Sequence, residues 1–293
     1  MCMASAKTLY VSDMDGTLLL PNKTIGAYTR QTLNALSASD GLCFSVATAR
    51  SIATVYDMLA GADISAPVIT LNGTCLFDLH TRRYLDACYL PAGTARRLLL
   101  LMDELDAEMF VMTLPRLAPD GRGDNAIVCY YREIRSRSTR HFYEERLPKA
   151  AFKRFVRVDR FADIADDRVI YFTTSGPIGR MQALAARVGE IEGVYTALYL
   201  DRYDETVYYL EFCSDQSSKP NAVRKLKEMV GAGRVVAFGD NTNDLGMFAQ
   251  ADECYAVANA IPEARAAATA VIGSNAEEGV AHFLADRKAA GLL

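Results

Sequence analysis

The sequence predicts an α/β protein: a parallel sheet built from both ends of the chain, with an α+β insertion over residues 83–213. Three observations predict it. Near the N-terminus, three continuous apolar runs (8–12, 42–47 and 67–71) alternate with helical patterns, as strands buried on both faces do. After about residue 80, short strands of alternating polarity with few helices point to a sheet with one solvated face. From Ser214 onward the apolar strand–helix rhythm of the first segment returns.

The elements follow in order. Thr8-Leu9-Tyr10-Val11 opens a buried strand over 8–12, and Thr24 precedes a helical pattern from Ile25 to Leu36 that Gly41 closes. Leu42 to Ala47 is a strand, Arg50 to Leu59 a helix, and Pro67 to Leu71 a strand ending in Asn72-Gly73. Asp78 to Tyr89 alternates like a hairpin. Pro91 to Asp106 is an amphipathic helix entered through a first-turn proline. Strands are expected at 108–112 and 126–131, separated by the Pro/Gly/Asp-rich loop 115–124, and at 152–158 and 169–173. A helix from Gly176 to about Glu190 leads to a hairpin of 194–203 and 206–213. The returning part reads as helix 220–230, strand 234–238, helix 242–251, strand 254–258, helix 261–268, strand 270–272 and helix 277–288. The expected domains are 1–82 with 214–293, and 83–213.

The 293 residues are 51% hydrophobic and 23% charged, enough apolar material for a large core. A net charge of -4 gives no global bias toward nucleic acid or membrane. No apolar run reaches the ~18 residues of a membrane-spanning helix, and the segment before Thr8 is too short for a signal peptide. The seven cysteines are scattered, without a C-x-x-C pair, so neither a disulfide framework nor a zinc site is expected. A cytoplasmic location follows as the expectation. The three histidines, His80, His141 and His282, stand in unrelated contexts and do not suggest a His-based triad.

Four stations carry chemistry. Asp13-Met14-Asp15-Gly16-Thr17 places two carboxylates directly after a buried strand, where carboxylates repel each other and resist burial. Thr48, followed by Ala49 and Arg50, ends the second strand at a helix start, where a hydroxyl and backbone N–H groups suit an anion. Lys219 in Ser217-Ser218-Lys219-Pro220 precedes a helix. Phe238-Gly239-Asp240-Asn241-Thr242-Asn243-Asp244 again ends a buried strand in acids and amides. Singly, each station is compatible with an ordinary turn, helix cap or surface charge.

Together, in this order, they resemble the haloacid dehalogenase (HAD) superfamily, and within it the Cof-type sugar-phosphate phosphatases with a large C2B-type cap. Asp13-x-Asp15-Gly16-Thr17 matches the first motif, Thr48 the second, Lys219 the third, and Gly239-Asp240-x-x-Asn243-Asp244 the fourth. Leu71-Asn72-Gly73, Ala256 to Ala260 and Asn275 to Val280 match the subfamily. Pro220 departs from the glycine that more often follows the lysine, and suits a first helical turn.

The resemblance implies a Rossmann-like three-layer, HAD-like core at 1–82 and 214–293, with 83–213 as an inserted cap that closes over the site and meets the leaving group. It implies a Mg2+-dependent phosphatase that hydrolyses small phosphorylated metabolites through an aspartyl-phosphate. Asp13 would be the nucleophile and a metal ligand. Asp15 would be the general acid and base and, through its backbone carbonyl, a metal ligand; Asp240 would be the third ligand. Met14, Thr48, Ala49, Lys219 and Asn243 would hold the phosphoryl group, with Asp244 supporting the metal's water shell or the lysine. The physics agrees: at about 4 Å and an effective dielectric near 20, a carboxylate and a phosphate repel by about 4 kcal/mol, and Mg2+ with its oxygen ligands relieves that.

The segment 132–160 holds ten Lys/Arg against four Asp/Glu. It reads either as a solvated face or as a contact for anionic substrates. Nucleic-acid binding is disfavoured by the acidic chain and by Phe142, Tyr143, Phe152 and Phe155, which fit core positions. The expected partner is a small phosphate ester. Rival readings are a phosphomutase and a non-catalytic regulatory protein on the same fold. The latter predicts a lost motif residue, and none is lost. The sequence leaves oligomeric state and the identity of the metabolite open.

Overall fold

The structure, a computed structural model, describes residues 7–116, 126–149, 152–201 and 204–293. Most of the expected loop 115–124 lies outside the described residues. The chain divides into two compact units, Met1–Leu85 with Ser218–Leu293, and Asp86–Ser217.

The chain begins with β1 (Thr8–Asp13), α1 (Ala27–Asp40), β2 (Cys43–Ala47), α2 (Ile52–Met58), β3 (Val68–Thr70), β4 (Cys75–Asp78) and β5 (Arg83–Ala87). Then come α3 (Ala92–Glu104), β6 (Phe110–Thr113), β7 (Ile127–Tyr131), α4 (Arg137–Arg146), β8 (Lys153–Arg157), β9 (Val169–Gly176), α5 (Ile178–Gly189), β10 (Val194–Leu200) and β11 (Tyr208–Ser214). The chain returns through α6 (Lys219–Met229), β12 (Arg234–Gly239), α7 (Leu245–Phe248), β13 (Glu253–Val257), α8 (Pro262–Ala267), β14 (Ala270–Ile272) and α9 (Gly279–Ala289).

In the first unit the strand order is β14-β13-β12-β1-β2-β3-β4-β5. The ladders from β14 through to β3 are parallel. Burial explains their apolar runs: Leu9, Val11, Phe44, Val46, Val236 and Phe238 are all fully enclosed. Each such side chain contributes about 1.5–3 kcal/mol on transfer from water. The α/β class is as expected, with one correction to the sheet. β4 runs antiparallel to β3 and, with β5, extends the sheet as a hairpin. The chain therefore turns back at Leu71–Gly73 instead of crossing over.

The order reverses at β1: β2 and β3 lie on one side, and β12, β13 and β14 on the other. Ligands of open α/β sheets bind outside the strands' carboxyl ends at such a reversal. The registers Asp13 to Ala47 and Ser12 to Phe238 align the ends of β1, β2 and β12. The stations that begin at Asp13, Thr48 and Asp240 thus emerge side by side.

The second unit is an α+β sheet of order β10-β11-β9-β6-β7-β8, antiparallel except between β7 and β8. Leu98 and Met102 of α3 and Met181 and Val188 of α5 bury one face against Val111, Phe172, Leu210 and Phe212. α4 was not among the expected elements; its cap is Ser136, whose side chain accepts from the Thr139 N–H. The expected helix 242–251 is instead a short turn over Thr242–Asp244 followed by α7. Pro220 stands in the first turn of α6. The six described cysteines are free thiols, five of them buried. Among the described residues, no helix is long and apolar enough to cross a membrane.

Candidate active site

The site grows from turns at the ends of three adjacent strands. After β1, Gly16 takes a φ of +90°, and a Cβ there would lie 2.4 Å from Asp240 Oδ2. Only glycine fits both the conformation and the approach. Thr17 Oγ1 donates to Asp240 Oδ1 at 3.0 Å, joining the first turn to the fourth station. Asn259 Nδ2 donates to the Gly16 carbonyl at 2.8 Å, and Asn275 Nδ2 to the Leu19 carbonyl at 2.8 Å. Asn259 in turn accepts from the Asn275 N–H. The two asparagines of the subfamily stretches thus clamp the β1 turn.

Lys219, at the start of α6, is 3% exposed and donates to Asp13 Oδ1 at 2.5 Å and to Asp244 Oδ1 at 2.8 Å. The other oxygen of Asp244 accepts from the N–H groups of Asp240 and Asn241 at 3.0 and 3.1 Å. Asp13, Asp240 and Asp244 each place a carboxylate oxygen within 4.8 Å of the others. Burial pushes the Asp13 carboxyl up to about 8; Lys219 pulls it down, while Asp244 and Asp240 push it further up. For Lys219, burial disfavours the charge, but Asp13 and Asp244 outweigh it and hold the ammonium above its ordinary range.

Thr48 is buried just beyond β2, and its Oγ1 accepts from the Arg50 N–H at 3.1 Å. Its carbonyl accepts from the Asn72 N–H at 3.0 Å, and the Arg50 carbonyl from the Leu71 N–H at 3.0 Å. Leu71, Asn72 and Gly73 all have positive φ (50°, 53° and 98°), a run that costs conformational energy at the first two positions. A Cβ on Gly73 would fall 2.2 Å from the Ser218 carbonyl. This strained turn is wedged between the Thr48 and Lys219 stations. The Asn72 side-chain oxygen is buried without a hydrogen-bond partner among the described residues.

Of the sequence-predicted site residues, Asp13, Lys219, Asp240 and Asp244 converge on one point. Met14 directly follows β1, Ala49 stands two residues beyond β2, and Asn243 lies exposed in the turn after β12. The Asp15 carboxylate stands apart from the cluster: Arg50 Nε and Nη2 donate to its two oxygens, each at 2.6 Å. The sequence pattern marks Arg50 only as a first-turn helix residue, and its partner becomes visible only when β1 and β2 are adjacent.

The profile of the haloacid dehalogenase-like hydrolases matches residues 10–284. The chain belongs to this family. Among curated relatives of this HAD-like hydrolase, a pyridoxal phosphate phosphatase of Escherichia coli is 26% identical over 279 residues, covering 93% of this chain and 95% of the relative. A 5-amino-6-(5-phospho-D-ribitylamino)uracil phosphatase of Bacillus subtilis is 25% identical over 285 residues, covering 93% and 95%. In fold, the chain is similar to a crystal structure from Thermotoga maritima (TM-score 0.74, 20% identity, 96% and 97% covered). It is also similar to a HAD subclass IIB sugar phosphatase (TM-score 0.68, 18% identity, 98% and 100% covered).

Proposed function

We propose that this HAD-family enzyme is a Mg2+-dependent phosphatase of small phosphorylated metabolites, sugar phosphates foremost, working through an aspartyl-phosphate on Asp13. The observation that carries the reading is the convergence of Asp13, Asp240 and Asp244 around Lys219 at the ends of adjacent strands. Relatives along more than nine-tenths of the chain are phosphatases, of pyridoxal phosphate and of a phosphoribityl compound. The second relative's substrate carries its phosphate on a sugar-derived chain, which supports the sugar-phosphate class. The free thiols suit a cytoplasmic enzyme.

A divalent cation fits the residues present. Three carboxylates bring oxygens within 4.8 Å of one another, and all these donors are hard oxygens, as a divalent cation requires. Asp13, Asp240 and the Asp15 backbone carbonyl would hold the ion, with Asp244 securing Lys219 and the β12 turn. When bound, Mg2+ supplies positive charge that brings the Asp13 carboxyl back to its ionised form and neutralises the incoming phosphate.

The side chains then divide the reaction. An Asp13 oxygen attacks phosphorus as the bond from phosphorus to the leaving alcohol breaks, and Asp15 gives that alcohol its proton. Asp15 next takes a proton from water; the water oxygen attacks phosphorus, the acyl-phosphate bond breaks, and Asp13 returns as a carboxylate. A lysine ammonium has three donors. Two of those on Lys219 go to Asp13 and Asp244, and the third serves a phosphoryl oxygen. Thr48, the Met14 and Ala49 N–H groups and the Asn243 amide complete the cradle. This is positioning plus charge stabilisation, the chief needs of phosphoryl transfer.

The test is phosphate release from a panel of hexose, pentose, tetrose and pyridoxal phosphates, with Mg2+ and with EDTA. The expected result is Mg2+-dependent release from several sugar phosphates. Undiminished release in EDTA, or none from any ester, would contradict the reading.

A further inference from the structure

We propose that Arg50 is a positioning residue for proton transfer: its guanidinium fork sets the orientation of the Asp15 carboxylate, keeping one hydrogen bond while the other oxygen serves the substrate. This inference rests on the reading of Asp15 as the acid–base group.

The geometry that points to it is specific. Arg50 Nε meets Asp15 Oδ2 and Nη2 meets Oδ1, both at 2.6 Å, a bidentate contact across 35 positions of sequence. The Arg50 backbone is tied down on both sides, its N–H to Thr48 Oγ1 and its carbonyl to the Leu71 N–H. Its side chain therefore starts from a fixed point beside the Thr48 station and reaches across to the β1 turn. The backbone of Asp15 is fixed in turn by Gly16, which is pinned through Asn259. What is left to set at Asp15 is its side-chain rotation, and the fork sets it.

Stability is a poor explanation for the pair. The two side chains are 27% and 29% exposed, and partly exposed ion pairs add little to folding. What a bidentate arginine contact adds is direction. The direction also imposes a constraint. In the fork both Asp15 oxygens accept, and the one that takes up the proton for a leaving oxygen becomes the weaker acceptor of the two. A guanidinium can retain the other oxygen as a pivot. A lysine, with a single point of charge, can hold the carboxylate but cannot fix its plane.

A competing role is a direct grip of Arg50 on the transferring phosphoryl group. Leaving-group dependence separates the two. The nitrophenolate of p-nitrophenyl phosphate departs without a proton, whereas an alkoxide needs one. The comparison uses p-nitrophenyl phosphate and whichever alkyl phosphate the wild type turns over fastest in the release panel, with Asp15→Asn as the reference. Arg50→Met is expected to lose about 10- to 100-fold more kcat/KM, which reports transfer to Asp13 and not the later hydrolysis shared by both esters, on the alkyl ester than on the aryl ester, with Arg50→Lys intermediate and Asp15→Asn selective in the same direction. Equal losses on both esters for Arg50→Met, with Asp15→Asn still selective, would overturn the role of Arg50 and leave that of Asp15 standing. An unselective Asp15→Asn would overturn both. Should Arg50→Met fail to melt cooperatively, Arg50→Lys decides by the same ratio: selective loss supports the role, and equal loss overturns it.

Discussion

Each unit buries a lysine almost completely, and the two lysines are pushed in opposite directions. Lys219 of the first unit is 3% exposed and Lys153 of the second 2%. For Lys153 burial is the largest influence and lowers its pKa, with Cys129 and Glu211 opposing and Arg146 adding to the fall. The Lys153 ammonium stands 5.5 Å from the centre of the Phe142 ring. Its neighbour Glu211 is raised, again chiefly by burial, and accepts from the Tyr171 hydroxyl at 2.7 Å. For Lys219 the same burial is outweighed by Asp13 and Asp244. Burial alone drives a titratable group toward its neutral form. Charge persists in an interior only where opposite charges are made to converge, and that is costly enough to mark a functional site. In the second unit burial pulls the lysine toward its neutral form; in the first, converging carboxylates hold the lysine charged.

The contrast can be broken at several points. The largest expected effect is Asp13→Asn, which removes the attacking oxygen and should cut phosphate release on the order of 10⁴-fold or more, as measured by steady-state kinetics on folded protein. Next, Lys219→Met leaves Asp13 and Asp244 buried without their partner and should cost about 3–5 kcal/mol in denaturant melts. Lys153→Met, which replaces a buried base by an apolar chain of similar length, should leave the midpoint unchanged or raise it. Equal losses for the two lysines would erase the distinction between the units.

A smaller effect is expected at Gly16. Gly16→Ala strains a φ of +90° and forces Asp240 to move, so kcat should fall about 100-fold. Gly41→Ala, at a φ of +64° with nothing within 4 Å of the new Cβ, should cost only about 1 kcal/mol of stability and leave kcat intact. The smallest effect is on pH dependence. Asp13 holds its proton up to about 8 in the folded chain, against an ordinary value of 3.8. A raised carboxyl contributes stability that is complete below its unfolded pKa and is lost as the pH rises through the folded one. In EDTA, the melting temperature of the wild type relative to Asp13→Asn should therefore fall between about pH 4 and 8, and Mg2+ should restore it at the upper end.

Much of the first unit was legible in the sequence because doubly buried strands are continuous apolar runs, and the chemistry follows each run directly. Asp13, Thr48 and Asp240 stand within two residues of the ends of β1, β2 and β12. What was not legible depended on distant partners. Asn259 and Asn275 act through hydrogen bonds spanning 243 and 256 positions. Arg50 has no local sign of its bond to Asp15. α4 escaped because it buries only Thr139 and Phe142 and is otherwise charged and polar. Of the aromatics of that segment expected in the core, Phe142 is buried and stacks on Phe110 at 4.8 Å, whereas Tyr143, Phe152 and Phe155 are half-buried, Tyr143 meeting Phe155 edge-on at 4.8 Å. The reversal at β4 follows from three successive positive φ values at Leu71–Gly73, of which only the glycine is visible in advance.

The central claim is that the charge kept inside the first unit exists so that Asp13 can carry a phosphoryl group. The most direct measurement is acid-quenched mass spectrometry of the enzyme during Mg2+-supported turnover of a sugar phosphate. The account predicts one phosphoryl group, mapped to the peptide containing Asp13 and absent in Asp13→Asn. Full Mg2+-dependent turnover by purified Asp13→Asn, with no phosphorylated peptide in the wild type, would contradict it.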